Sequence, residues 1–356
     1  MNSLDEKTFK DAAARIASWR RPLLITHEKP DGDALGALVA MRALLQSQGI
    51  QPVALLFDSI PQRYAFIRGL EELRVLGRDL RLPDLDACDA VIVLDTCTYS
   101  QLRPIADWLR AARTPKLAVD HHATRDDLAD FYLVDESAAA VCLILYDWAR
   151  TQEWPIDATT AESLFIGMAT DTGWFRHSNT DHRVLAAAAD LTTRGVKPHQ
   201  LFESLFLQES AARVRLQSVA IATMELLASD RAAVMTLTRR AIADAGATLA
   251  DTEDIVNEPL RIASVIVSVL LVEQDDEVVR ASFRSKPPPA LEPLSPLGGE
   301  GRVRGSHADI DVAAFAQLFG GGGHKRAAGA RISGKIQDVR RRILDGLVNR
   351  LESSPG

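Results

Sequence analysis

Pro22-Leu23-Leu24-Ile25-Thr26-His27-Glu28-Lys29-Pro30-Asp31-Gly32-Asp33-Ala34 sets the architecture of the first half of this chain. Its apolar start reads as a short buried strand ending at His27. Pro30 and Gly32 force a tight turn. Ala34 to Gln48 then follows helical spacing until Gly49 stops it. The succession recurs: Val53 to Phe57, Ala90 to Leu94 and Leu117 to Val119 are apolar runs of strand length, the last two ending in Asp95 and Asp120. Strands alternating with helices predict an α/β fold, a parallel sheet covered by helices on both faces. Ligands on such sheets sit at the carboxyl ends of the strands, so His27, Asp95 and Asp120 are expected along one edge.

Further on, Asn179-Thr180 reads as a helix start and Gly195 as a stop, around Asp181 to Arg194. Gln200 to Leu227 is long, helical and mixed in pattern, a connector into a smaller α/β domain with a mixed sheet. Strands are expected there near Ala233 to Leu237 and Val278 to Phe283. Helices are expected near Ile262 to Leu271, Val312 to Phe319 and Ile336 to Leu351. The expected divisions are 1–199, 200–227 and 228–356. Pro287 to His307 is rich in proline and glycine and has almost no periodicity, which reads as a flexible insertion.

Whole-chain properties narrow the class. The 356 residues are 47% apolar and 25% charged, those of an ordinary water-soluble protein. No apolar run approaches the roughly 18–20 residues of a membrane span, and Met1 to Arg20 lacks an apolar secretory core. Three cysteines, Cys88, Cys97 and Cys142, without CxxC spacing argue for a reduced cytoplasm and against a disulfide framework or zinc knuckle. A net charge of −7 leans away from long duplex nucleic acid and toward small anionic substrates.

Four segments of the first half carry chemistry-bearing side chains. His27, Asp31 and Asp33 fall within seven residues around a tight turn, and imidazole plus carboxylate suits an ion of intermediate hardness such as Mn²⁺. The alternative there is a polar turn with Asp33 capping the following helix. Asp95 follows a strand, where a lone aspartate is more often a cap. Asp120-His121-His122 follows another; adjacent histidines on an extended segment point opposite ways, so one is expected on metal and the other toward substrate or a carboxylate behind the ligands. Asp171 follows a helix-like stretch, and Arg176 beside it suits a phosphate, or simply an ion pair with Asp171. Together, His27, Asp31, Asp33, Asp95, His121 and Asp171 suffice for two metal sites sharing a carboxylate, the arrangement that activates water against a phosphoester.

In the second half, Arg284-Ser285-Lys286 and the run Gly320-Gly321-Gly322-Gly323-His324-Lys325-Arg326 stand out. Consecutive glycines let backbone come close to a partner, and free N–H groups suit an anion. Arg284, Ser285, Lys286, Gly321, Gly322, Gly323 and His324 are therefore candidate substrate contacts. A strand end and a flexible linker are the plainer readings.

With these motifs assembled, the chain resembles the DHH-family phosphoesterases in the branch with a DHHA1 C-terminal domain. His27 to Ala34 matches the first motif, Asp95 and Asp171 the second and fourth, Asp120-His121-His122 the triplet, and Gly321 to Gly329 the GGGH-x-x-AAG signature. The resemblance implies a DHH domain over 1–199 and a DHHA1 domain over 228–356. It implies two Mn²⁺, with Mg²⁺ or Co²⁺ as substitutes: one held by His27, Asp31 and Asp95, the other by Asp33, Asp95, His121 and Asp171. It makes Asp95 the bridge, places Asp95, Asp120, His121 and His122 at the reaction centre, and gives Arg284 and His324 to substrate.

Within the family the layout is similar to the nanoRNases, which degrade very short RNA from an end and in many cases convert adenosine 3′,5′-bisphosphate to AMP. The implied partners are short single-stranded RNA or nucleotide bisphosphates in the cytoplasm, with no membrane, and a homodimer is the assembly to test. The competing readings are a soluble phosphodiesterase for cyclic or linear dinucleotides and a nucleotide-binding regulator with a defunct metal site.

Overall fold

The computed structural model describes residues 4–275, 277–286 and 309–352. The Pro287 to His307 stretch, read above as a flexible insertion, lies outside the described residues. The chain divides into two compact units, Met1–Gln208 and Glu209–Gly356.

The first unit holds a six-stranded sheet: β1 (Pro22–Ile25), β2 (Val53–Leu56), β3 (Arg74–Val75), β4 (Ala90–Leu94), β5 (Lys116–Asp120) and β6 (Phe131–Val134). All neighbours are parallel, in the order β3-β2-β1-β4-β5-β6. Its helices are α1 (Glu6–Ile16), α2 (Gly32–Ser47), α3 (Ala106–Ala111), α4 (Val141–Thr151), α5 (Ala158–Asp171), α6 (His182–Thr193) and α7 (Pro198–Phe206).

Side-chain alternation along each strand feeds two cores. Leu24, Ile92, Leu94, Val119 and Leu133 pack with the buried faces of α1, α2, α4 and α5. Leu23, Ile25, Val91, Val93 and Ala118 pack with Leu102, Ile105 and Leu109 on the other side. Burial on both faces explains why these strands read as continuous apolar runs. The order reverses between β1 and β4, so the switch-point crevice of an open α/β sheet lies where His27 and Asp95 emerge.

Helices α2 and α5 pack closely because small residues let them. A Cβ on Gly36 would stand under 3.0 Å from the Ser163 carbonyl oxygen, and one on Gly32 would meet the Thr170 side chain as closely. This contact brings the N-terminus of α2, with its aspartates, to the C-terminus of α5.

The second unit holds α8 (Ala211–Ala222), β7 (Glu225–Leu227), β8 (Ala232–Leu237), α9 (Arg239–Asp244), β9 (Val267–Asp275), β10 (Val278–Ser285), α10 (Val312–Gln317), β11 (Gly322–His324), β12 (Ala327–Ser333) and α11 (Ile336–Glu352). The sheet order is β11-β12-β10-β9-β8-β7, antiparallel except for the β8–β9 pair. The stretch from Gln200 to Leu227 is not one helical run. It ends α7, forms α8 behind the Ser210 cap, and closes with β7.

Where a helix is expected near Ile262 to Leu271, the chain from Val267 onward is strand β9. Val267, Val269 and Leu271 enter one core, Leu270 and Val272 the other. A run buried on both sides shows no alternation, and its valines and isoleucines favour the pleated form.

Candidate metal centre

Every predicted metal ligand of the first half lies at the carboxyl edge of its strand or at an adjoining helix end. His27 leaves β1, Asp95 leaves β4, and Asp120, His121 and His122 end β5. Asp31 caps α2, its carboxylate accepting from the Asp33 and Ala34 amides at 3.0 and 3.1 Å. The cap is thus Asp31, not Asp33. Freed from that task, Asp33 reaches across to α4, where it accepts from the Val141 and Cys142 amides at 2.6 and 3.0 Å. Asp171 is the last residue of α5.

These positions bring donor atoms together in three sets, each within 4.8 Å: His27, Asp31 and Asp95; Asp33, His121 and Asp171; and Asp95, His121 and His122. Asp95 belongs to two of them. It is 3% exposed and adopts φ 61°, a left-handed conformation that costs a non-glycine residue on the order of 1–3 kcal/mol. Its Oδ2 lies 3.5 Å from His27 Nε2, and its Oδ1 3.5 Å from His121 Nε2.

The residues fit a metal ion on two observations. Asp95 Oδ1 is fully buried yet accepts no hydrogen bond, an expensive state for a carboxylate oxygen unless a cation satisfies it. His121 Nδ1 lies 3.2 Å from the Ala138 carbonyl. Donation there aims Nε2 at Asp95 and at Asp171 Oδ2, 3.3 Å away, where its lone pair would ligate once a cation displaces its proton. That is how proteins orient ligating histidines.

Electrostatics agree. Burial raises the acid–base midpoints of Asp31 and Asp33 above the usual carboxylate range, and pushes Asp171 up to about 6. Asp95 is held low, because the His121 and His27 imidazoles outweigh its burial. Burial alone would lower His121, but its contact with Asp95 and the charges of Asp33, Asp171 and Asp95 push it up to about 10. Crowded and buried, Asp31, Asp33 and Asp171 are pushed toward their protonated forms when no cation is bound; a divalent ion inverts that preference.

Asp120 stands behind this cluster and is fully buried. Its Oδ1 accepts from the amides of His121 and His122 at 2.8 and 3.1 Å, and from His122 Nδ1 at 2.8 Å. The two histidines do not point opposite ways, because β5 stops at Asp120 and the turn places their rings 4.4 Å apart. His122 is half exposed, its Nδ1 3.8 Å from Asp95 Oδ1. Arg176 is exposed and donates through Nε to the Gly173 carbonyl.

In the second unit, Arg284, Ala327 and His324 pair across three strands and share one face. His324 is exposed. Ser285 turns the other way and donates to the Ile310 carbonyl at 2.9 Å. Lys286 reaches the Ile262 carbonyl at 2.6 Å, its ammonium midpoint lowered by burial. Both are tied into the fold, so the structure does not present them beside Arg284. The glycine string is not a loop throughout: Gly322–His324 is strand β11. A Cβ on Gly321 or Gly323 would fall under 3.0 Å from the backbone of β12, whereas one on Gly322 would meet nothing within 4 Å.

The segment Ala138–Cys142 was not legible as functional. It contributes backbone carbonyls and amides, and its side chains are apolar.

The DHH family, N-terminal domain, matches residues 22–168. Residues 22–168 thus carry a DHH family N-terminal domain. Among its relatives is a Bacillus subtilis (strain 168) protein named bifunctional oligoribonuclease and PAP phosphatase NrnA. It is 24% identical over 320 residues, covering 89% of this chain and 91% of the relative. Two solved structures share the fold. An exopolyphosphatase-related protein from Bacteroides fragilis superposes with a TM-score of 0.83 at 20% identity, covering 99% of each chain. RecJ in complex with Mn²⁺ from Thermus thermophilus does so with a TM-score of 0.51 at 13% identity, covering 99% of this chain and 56% of that one. No helix of the described residues is long and apolar enough to cross a membrane.

Proposed function

We propose that this metal-dependent phosphoesterase of the DHH family hydrolyses short oligoribonucleotides from an end, and nucleotide bisphosphates such as adenosine 3′,5′-bisphosphate. The observation that carries the reading is Asp95, a buried carboxylate in a strained conformation whose two oxygens face His27 and His121, each at 3.5 Å. The substrate class comes from the NrnA relative's name and from the sheet face that Arg284 and His324 share.

In this reading His27, Asp31 and Asp95 hold one Mn²⁺, and Asp33, Asp95, His121 and Asp171 the other. Paired ions supply a water of lowered pKa and neutralise charge on the leaving oxygen. The donor set of imidazoles and carboxylates suits Mn²⁺, with Mg²⁺ or Co²⁺ as substitutes. Asp120 fixes the His122 ring, which faces substrate. Arg284 clamps a terminal phosphate with its planar fork, Arg176 supplies an exposed guanidinium, and His324 with Gly321, Gly322 and Gly323 borders the substrate. A panel of 5′-phosphorylated RNA of two to ten nucleotides, adenosine 3′,5′-bisphosphate and cyclic dinucleotides, each with Mn²⁺, tests the assignment. Exclusive turnover of cyclic dinucleotides would overturn it.

Two expectations separate metal from substrate. Arg284→Ala and His324→Ala should raise KM at least tenfold for substrates with a terminal phosphate while leaving bound Mn²⁺ unchanged. Metal analysis beside kinetics checks this, and a parallel fall in metal content would make His324 a ligand. Mn²⁺ binding should also release protons. With no ion bound His121 keeps its proton up to about pH 10 and Asp171 is half protonated near pH 6. Both must be deprotonated to ligate, so affinity climbs as pH rises toward 10. Calorimetry at pH 7 in buffers of different ionisation enthalpy reads the released proton directly; identical heats in phosphate and Tris would refute it.

A further inference from the structure

The segment Ala138–Cys142 touches two of the proposed ligands directly and a third through Asn179, without supplying one. The Ala138 carbonyl receives His121 Nδ1, and the Val141 and Cys142 amides bind the Asp33 carboxylate. The third link runs through Asn179. Its Nδ2 donates to the Ala139 carbonyl and to the Asp171 carbonyl, both at 3.2 Å. Asp171 ends α5, so its carbonyl is one that the helix cannot satisfy itself. One amide therefore straps the end of α5 to the segment that orients His121. The opposite side of this segment is anchored too. Asp135 opens its turn, with the Ser137 amide on Oδ1 at 2.9 Å and Arg183 on Oδ2 at 3.0 Å, and Arg183 also bonds Asp147.

We propose that Asn179 is a positioning residue for the metal position formed by Asp33, His121 and Asp171. It sets the separation of His121 from Asp171 by holding Ala139 against the end of α5, and so sets the affinity of that position. The inference rests on the metal assignment made above, and on no choice of substrate. Asn179 is exposed, so its loss should spare the fold. An orienting partner behind a ligand is typically worth 10–100-fold in metal affinity.

The test is direct Mn²⁺ binding to the full chain without substrate, by calorimetry and by electron paramagnetic resonance of free Mn²⁺. Wild type should show a tight and a weaker class or two tight sites. Asn179→Ala should weaken one class 10–100-fold and leave the other unchanged, with a melting temperature close to wild type, and excess Mn²⁺ should restore kcat. Asn179→Ser, which fits but cannot span both carbonyls, should behave alike and serves if the alanine variant fails to fold. In Co²⁺-loaded protein the visible absorption of one site should change. Unaltered Mn²⁺ affinity in either folded variant overturns the proposal, whatever happens to turnover. Wild type that binds no Mn²⁺ overturns the metal assignment itself, a different result.

Discussion

Asp95→Asn should reduce turnover by more than 100-fold while the protein stays folded. Asparagine is the informative replacement because it tolerates the left-handed φ of 61° that this position requires, whereas alanine would add backbone strain to the loss of the carboxylate. The amide keeps the volume and one oxygen, but lacks the charge that lets a single group serve two donor sets. Loss of a partner behind a ligand costs 10–100-fold; loss of a shared ligand should cost more. Bound Mn²⁺ should fall with activity, in contrast to Arg284→Ala and His324→Ala. A folded, Mn²⁺-saturated Asp95→Asn protein with near-normal turnover would remove the two-metal reading.

The carboxyl-edge cluster was legible because each of its side chains sits at a punctuation mark: a strand end at His27, Asp95 and Asp120, or a helix end at Asp31, Asp33 and Asp171. Strand direction alone then places them on one edge. Local roles were harder. Asp31 and Asp33 flank one glycine, and spacing does not say which caps α2 and which reaches α4. The direction of the His121 and His122 rings depended on where β5 stops. Ser285 and Lys286 looked like partners of Arg284, but strand alternation sends Ser285 to the other face, and the Ile262 carbonyl claims Lys286. The β9 strand resembles a helix in sequence because a run buried on both faces has no period to read. Backbone donors and acceptors, such as those of Ala138 to Cys142, leave no side-chain signal at all.

Gly36→Ala should lower both stability and metal affinity, although the position lies four residues beyond Gly32 and supplies no ligand. Alanine in mid-helix ordinarily gains about 0.5–1 kcal/mol over glycine. Here its Cβ would lie under 3.0 Å from the backbone oxygen of Ser163, and backbone cannot swing aside as a flexible side chain can. Overpacking of this kind costs roughly 1–3 kcal/mol, so the penalty wins and the melting temperature should fall by a few degrees. To relieve the contact α2 must move away from α5. Asp33 and Asp171 ride on those two helices, so the same movement widens the donor set that they form with His121. Mn²⁺ affinity at that position should therefore drop while the His27, Asp31 and Asp95 position changes less. Thermal melting with and without Mn²⁺ separates the two effects, because a ligand bound only by the folded state stabilises according to its affinity. The Mn²⁺-dependent rise in melting temperature should be smaller for Gly36→Ala than for wild type. An equal rise would mean that the helix contact stabilises the fold but does not set the metal geometry.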